Sequence, residues 1–208
     1  IAISKKWSGG TTVSATMHIA HQSGISVFST GGIGGVHRGE KYSFDISQDL
    51  TALAQIPMVV VSAGAKAILD LPKTLEMLET LGIPVLGFGT NEFPAFYSRN
   101  SGLCDLFRIE NPDEAAHIYR KNMEMDLSAS TLVVNPIPEK DEIPGDEMEK
   151  IIDSAINDAQ IKKINGKELT PFLLEEIVKK TDGRSLEANK ALALNNVRLG
   201  VKIVHQFG

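Results

Sequence analysis

The chain has 208 residues, a hydrophobic fraction of 42% and a formal net charge of -5. That length and apolar content supply one substantial domain with a real core, and the acidic balance argues against a general nucleic-acid binder, which carries a basic stripe or an aromatic platform. No run approaches the roughly 18 apolar residues of a membrane span, and the opening IAISKKWSGG lacks the apolar segment of a secretory signal, so a cytoplasmic protein with neither nucleic-acid nor membrane partners is expected.

Helical and strand patterns alternate through the first half. A helix is expected over 12–22, a strand in ISVFST, a glycine-rich loop, a helix over 47–55 and a strand in MVVVSAG. A helix over 72–81, opened by Pro72 and closed by Gly82, then precedes the apolar run PVLGFG. DLFRI and STLVVNP read as two further strands, separated by a helix that begins at Asn111-Pro112 with acidic residues in its first turn. Such alternation predicts a sheet covered by helices on both faces. From Pro144 onward the pattern is helical, in three segments separated by Gly166 and Gly183, and these helices are expected over the sheet or a neighbouring subunit. The acidic, proline-rich NPIPEKDEIPGDE is read as a connector inside a single domain spanning 1–208, because three helices alone make a thin second core. The single cysteine, Cys104, excludes an intrachain disulfide and reads as a buried structural thiol.

Several residues invite a chemical reading. The loop Gly31-Gly32-Ile33-Gly34-Gly35-Val36-His37-Arg38 follows a strand, so its backbone is able to approach a phosphate closely. A plain glycine-rich turn is the alternative. It is not a dinucleotide fingerprint, because the G-x-G at Gly32 meets His37 where the third glycine belongs. His37 and Arg38 favour a site, since functional groups concentrate on loops at strand ends. In FDISQDL, Ser47 reads as a helix cap, while Asp45 and Asp49 are either redundant polar groups or hard oxygen donors for Mg²⁺ or Mn²⁺ completed by water. Lys66 lies just past the strand MVVVSAG, among small residues that leave room for a substrate. Partial desolvation there would favour the neutral amine, a nucleophile toward an aldehyde, although taken in isolation the position is more often an ordinary exposed lysine at a helix start.

The blocks GGTTVSATM, FSTGGIGGVHRG, FDISQDL, VSAGAKAILDLPKTLEMLETLGIPVLGFGTNEFPAFYS and SLEANKALALNN together resemble the successive signatures of the pseudouridine-5'-phosphate glycosidases, also called indigoidine-synthase-A-like proteins. The resemblance runs almost end to end. It implies an α/β protein, a three-layer α/β/α sandwich with a mixed, mostly parallel sheet and a helical C-terminal part. It further implies a homotrimer with one divalent metal per subunit, usually Mn²⁺, and reversible cleavage of pseudouridine 5'-phosphate to uracil and ribose 5-phosphate. Carried over by residue, the Schiff-base lysine falls on Lys66 and the metal-binding aspartate on Asp45. Ser47, Gln48 and Asp49 fall on the substrate-binding segment and Val13 in the TTV contact, while His37 and Asn189 match polar positions around the sugar phosphate.

Family members carry a further N-terminal region with a glutamate general acid and a second lysine, and those two roles map onto no residue here. Glu40 and Glu92 do not sit in the matching motif. The implied order of events is ring opening assisted by Asp49 beside the metal, addition of Lys66 to the opened sugar, protonation of the base, and imine hydrolysis. A carbon leaving group explains why a lysine stands where ordinary glycosidases use two carboxylates. The competing expectations are a Schiff-base aldolase acting on another sugar phosphate and an inactive or truncated homologue that only binds one.

Overall fold

The computed structural model describes residues 1–11, 13–39 and 44–207. A short helix α1 (Ala2–Lys5), which buries no residue and was not expected from the pattern, precedes α2 (Val13–Gln22). Then follow β1 (Val27–Ser29), α3 (Gln48–Gln55), β2 (Val59–Ser62), α4 (Leu71–Thr80), β3 (Val85–Phe88) and β4 (Phe107–Ile109). The remainder is α5 (Pro112–Glu124), β5 (Thr131–Val134), α6 (Gly145–Ile161), α7 (Leu169–Lys180) and α8 (Arg184–Val204).

The strands form one sheet in the order β1-β2-β5-β3-β4, and every neighbouring pair is parallel. The parallel part of the expectation therefore accounts for all five strands. Antiparallel pairing among the described residues is confined to isolated bridges, such as Val36 with Ile46 and His37 with Leu69.

Two-residue periodicity sorts the strand side chains into two cores. Val59, Val61, Val133 and Ile109 pack on one face against Ala115 and Ala116 of α5 and Leu199 and Ile203 of α8. Val60, Leu132 and Val134 pack on the other, beneath Met17 of α2, Leu53 of α3, Leu78 of α4, Ile152 of α6 and Ile177 of α7. This gives the three layers, and it explains the unbroken apolar runs VVV and LVV in strands covered on both sides.

Local chemistry sets the element ends. Ser47 caps α3, its hydroxyl accepting from the Asp49 N–H at 3.2 Å. Asp70 caps α4 by accepting from the Lys73 N–H at 3.1 Å. The Glu114 carboxylate reaches back to the Asn111 N–H at 2.9 Å at the start of α5. Gly183, at φ +79, begins α8.

Two positions differ from expectation for identifiable reasons. Cys104 is exposed, not buried. Leu103 and Leu106 of the same segment pack on the core, and the Leu106 N–H is tied to the Asn91 carbonyl at 2.9 Å, which leaves the thiol outside. Arg38 turns away from the sheet end to pair with α6, as described below. No described helix is long and apolar enough to cross a membrane.

Candidate active site at the carboxyl edge of the sheet

Beyond their named ends, β1 and β2 continue to run side by side. The Ile33 N–H donates to the Gly64 carbonyl at 3.0 Å, and the Lys66 N–H donates to the Ile33 carbonyl at 3.0 Å. This extension fixes the Lys66 backbone opposite the glycine loop, at the carboxyl edge where open parallel sheets place their ligands. Gly64 permits the turn, with φ +84 and a backbone so close to Pro94 that a Cβ would overlap the Pro94 carbonyl oxygen.

Asp49 organises the opposite wall. It is 3% exposed, and its two carboxylate oxygens accept from the Ser14 N–H at 2.9 Å and the Gly34 N–H at 2.8 Å. One side chain thereby joins the start of α2, the glycine loop and the first turn of α3. Gly34 has no room for a Cβ, which would stand 2.8 Å from Asp49 Oδ2 and overlap Ser47. The Ser47 N–H donates to the Gly35 carbonyl at 2.9 Å, and the His37 N–H to the Asp45 carbonyl at 3.0 Å. His37 Nδ1 lies 3.9 Å from Asp45 Oδ2, an ion-pair distance longer than a hydrogen bond.

These walls enclose a cavity of about 600 Å³ lined by Lys66, Asp45, Ser47, Asp49, His37 and Gly34, with Ile68 and Leu69 contributing apolar surface. Five of the eight sequence candidates thus meet in one place. Val13 is 4% exposed and belongs to the core, one residue before the Ser14 N–H held by Asp49. Gln48 is exposed, and Asn189 sits half-buried on α8 beside Gly31, where its Oδ1 would be 3.2 Å from a Cβ; neither is in the cavity lining.

The glycine loop does not match the expected phosphate cradle at four of its N–H groups. Those of Ile33, Gly34, Val36 and His37 donate to Gly64, Asp49, Thr74 and Asp45 respectively. The loop's glycines serve close packing of the protein upon itself. Arg38 is likewise structural: its guanidinium donates to Glu149 at 2.6 and 2.9 Å and to the Leu69 carbonyl at 3.3 Å. Burial opposes its charge, but the hydrogen bonds and attraction of Glu149 and the nearby Asp153 and Asp70 hold its pKa above the ordinary value. Glu92 accepts from the backbone N–H groups of Ser101 and Gly102, a loop-bracing role, and Glu40 lies outside the described residues.

Sequence reasoning passed over several contributors. Thr74 is fully buried on α4, and its hydroxyl accepts from the Val36 N–H at 3.0 Å, holding the loop from behind. Asn196 of α8 donates to the Thr30 carbonyl at 2.8 Å and accepts from Asn135 at 3.1 Å, bracing the ends of β1 and β5. Gly166 and Thr170, at the start of α7, close one side of the cavity. The first two were foreshadowed by polar residues at apolar helix positions. Gly166 read only as a break between helices, and nothing local marks Thr170.

Among the described residues there is no group of three or more His, Cys, Asp or Glu suited to a metal. Asp45 and His37 share the cavity wall. A hard divalent cation that keeps several waters needs only one or two carboxylates, and that is the kind of metal this donor set fits.

Fold and site define a parallel α/β protein whose pocket, at the carboxyl edge of the sheet, combines one lysine with carboxylates and a histidine. The chain belongs to the family described as indigoidine synthase A like protein, whose profile matches residues 1–206. It is 57% identical over 195 residues to the pseudouridine-5'-phosphate glycosidase of Paracoccus denitrificans, covering 94% of this chain and 64% of that protein. The enzyme of that name from Caldanaerobacter subterraneus subsp. tengcongensis is 52% identical over 207 residues, covering 100% of this chain and 67% of the other. The crystal structure of an indigoidine synthase A-like protein from Thermotoga maritima superimposes with a TM-score of 0.86 at 47% identity, covering 95% of this chain and 64% of that one. The prealnumycin C-glycosynthase AlnA, solved in complex with ribulose 5-phosphate, gives a TM-score of 0.93 at 33% identity, covering 99% of this chain and 68% of that chain. The chain thus spans about two thirds of the length of these relatives.

Proposed function

We propose that this protein takes part in the reversible cleavage of pseudouridine 5'-phosphate to uracil and ribose 5-phosphate, with Lys66 as the nucleophile. The observation that carries this reading is the placement of Lys66 beside Asp45, Ser47, Asp49 and His37 in one cavity, in a chain 57% identical to a pseudouridine-5'-phosphate glycosidase. In the cleavage direction the ring C1'–O4' bond breaks as the Lys66 amine bonds to C1', and the proton the amine gives up is matched by the one O4' takes to become a hydroxyl. The base carbon takes a proton as its bond to C1' breaks, leaving an imine between Lys66 Nζ and C1'. Water hydrolyses the imine to ribose 5-phosphate and the free amine. The donor of the proton to the base maps onto no described residue. His37 and Ser47 line the side where sugar hydroxyls would be bound and oriented.

A divalent ion, Mn²⁺ by family resemblance, would be held by Asp45 with water, His37 standing nearby, and supplies positive charge toward ligand oxygens when bound. Asp49 would assist ring opening chiefly through the wall it holds in place, since both its oxygens already accept N–H donors.

The test is synthesis in reverse. The full-length protein, given uracil, ribose 5-phosphate and Mn²⁺, should form pseudouridine 5'-phosphate detectable by chromatography. Calorimetric binding of ribose 5-phosphate without product would favour the second reading, an inactive sugar-phosphate-binding homologue, which the ribulose 5-phosphate complex of AlnA makes specific.

The homotrimer implied by the resemblance is part of the same proposal. Leu194, Val197, Val201 and Val204 of α8 are 57%, 48%, 51% and 50% exposed and recur at helical spacing, a stripe that supports a subunit contact. Val197→Glu with Val201→Glu is expected to reduce the sedimentation mass from trimer to monomer. An unchanged mass would place the contact elsewhere.

A further inference from the structure

At the mouth of the cavity, Phe44 lines the same space as Lys66 and Asp45, yet it is 83% exposed. Its backbone has φ +52, in the left-handed region that bulky side chains rarely occupy. The chain immediately after it is firmly held. The Asp45 carbonyl accepts from the His37 N–H at 3.0 Å, Ile46 bridges to Val36, and the Ser47 N–H donates to Gly35 at 2.9 Å. An aromatic ring kept in water on a strained backbone, beside a chemically equipped pocket, is a combination that folding alone does not favour, because strain of this kind persists where function uses it.

The rest of the pocket narrows what the ring is for. Lys66, Asp45, Ser47, Asp49 and His37 provide charge and hydrogen bonding suited to a sugar and its phosphate, groups with no flat apolar face. A pyrimidine has two such faces. Ile46 and Ile68, also in the lining, add apolar surface to the cavity. We propose that Phe44 is a specificity-determining residue that stacks on the pyrimidine ring of the substrate. This rests on the functional reading above.

The role predicts a split between two ligands. In the full-length protein, Phe44→Ala should raise KM for pseudouridine 5'-phosphate about tenfold, a loss in the range of a base–aromatic stack. Borohydride trapping of ribose 5-phosphate on Lys66, which involves no base, should stay within about twofold of the parent, and Phe44→Trp should restore KM. Phe44→Gly supplies a second signature. It relieves the left-handed strain, so its thermal midpoint should equal or exceed that of the parent while its KM matches the alanine variant. Equal losses of ribose 5-phosphate trapping and KM, or no change in KM, would overturn the stacking role. No trapping in the unsubstituted protein would overturn the functional reading itself, and the base contact with it.

Discussion

Lys66→Arg is expected to lower turnover of pseudouridine 5'-phosphate by about a thousandfold or more, as removal of a covalent nucleophile does. The substitution keeps the positive charge, but a guanidinium does not lose its proton and cannot form the imine. The fold should survive. Lys66 is half-buried, and its backbone supplies contacts that survive any side-chain change: its N–H donates to Ile33 at 3.0 Å and its carbonyl accepts from Leu69 at 3.0 Å. Circular dichroism and the thermal midpoint of Lys66→Arg should therefore match the parent. Substantial turnover in Lys66→Arg would mean that the lysine acts only by its charge.

Asp49→Ala should be the most destabilising change in the site. It removes the acceptor for the Ser14 and Gly34 N–H groups, in a place 3% exposed where water does not replace it readily. Each stranded donor costs on the order of 1–3 kcal/mol. Asp49→Asn should fall between, because its amide oxygen still accepts one N–H while its NH₂ faces the other, donor against donor. Denaturant midpoints in the order Asp, Asn, Ala would support this. Equal stability of the alanine variant would show that the two hydrogen bonds contribute little. Activity is expected to follow the same order, since the glycine loop and α2 lose their common anchor.

Much of the scaffold was legible because it follows from short-range rules. The runs VVVS and TLVV announced strands buried on both faces, Ser47 announced a helix start, and Asn111-Pro112 another. What the pattern did not give was long-range partnership. Arg38 read as a substrate group because it stands on a loop at a strand end, but its charge is answered by Glu149, 111 residues later. The glycines read as a cradle, but the Gly34 and Val36 N–H groups are claimed by Asp49 and Thr74, on helices whose approach only the fold reveals. Cys104 follows the same logic, since the leucines on either side of it took the inward positions.

The candidate site divides in the same way. Lys66, Asp45, Ser47 and Asp49 were readable because each ends or begins an element next to a turn, where parallel sheets collect function. Phe44 escaped notice because an aromatic in an apolar-polar alternation looks like core. Its exposure and left-handed backbone are visible only in three dimensions. Asn189 and Gln48 remain outside the cavity lining, Asn189 next to Gly31 and Gln48 on the outward side of α3.

The most direct test of the account is to incubate the full-length protein with ribose 5-phosphate and Mn²⁺, reduce with borohydride and map the modified peptide. The account predicts a single sugar-phosphate adduct on Lys66. An adduct on a different lysine, or none while the protein remains folded and binds ribose 5-phosphate, would contradict it.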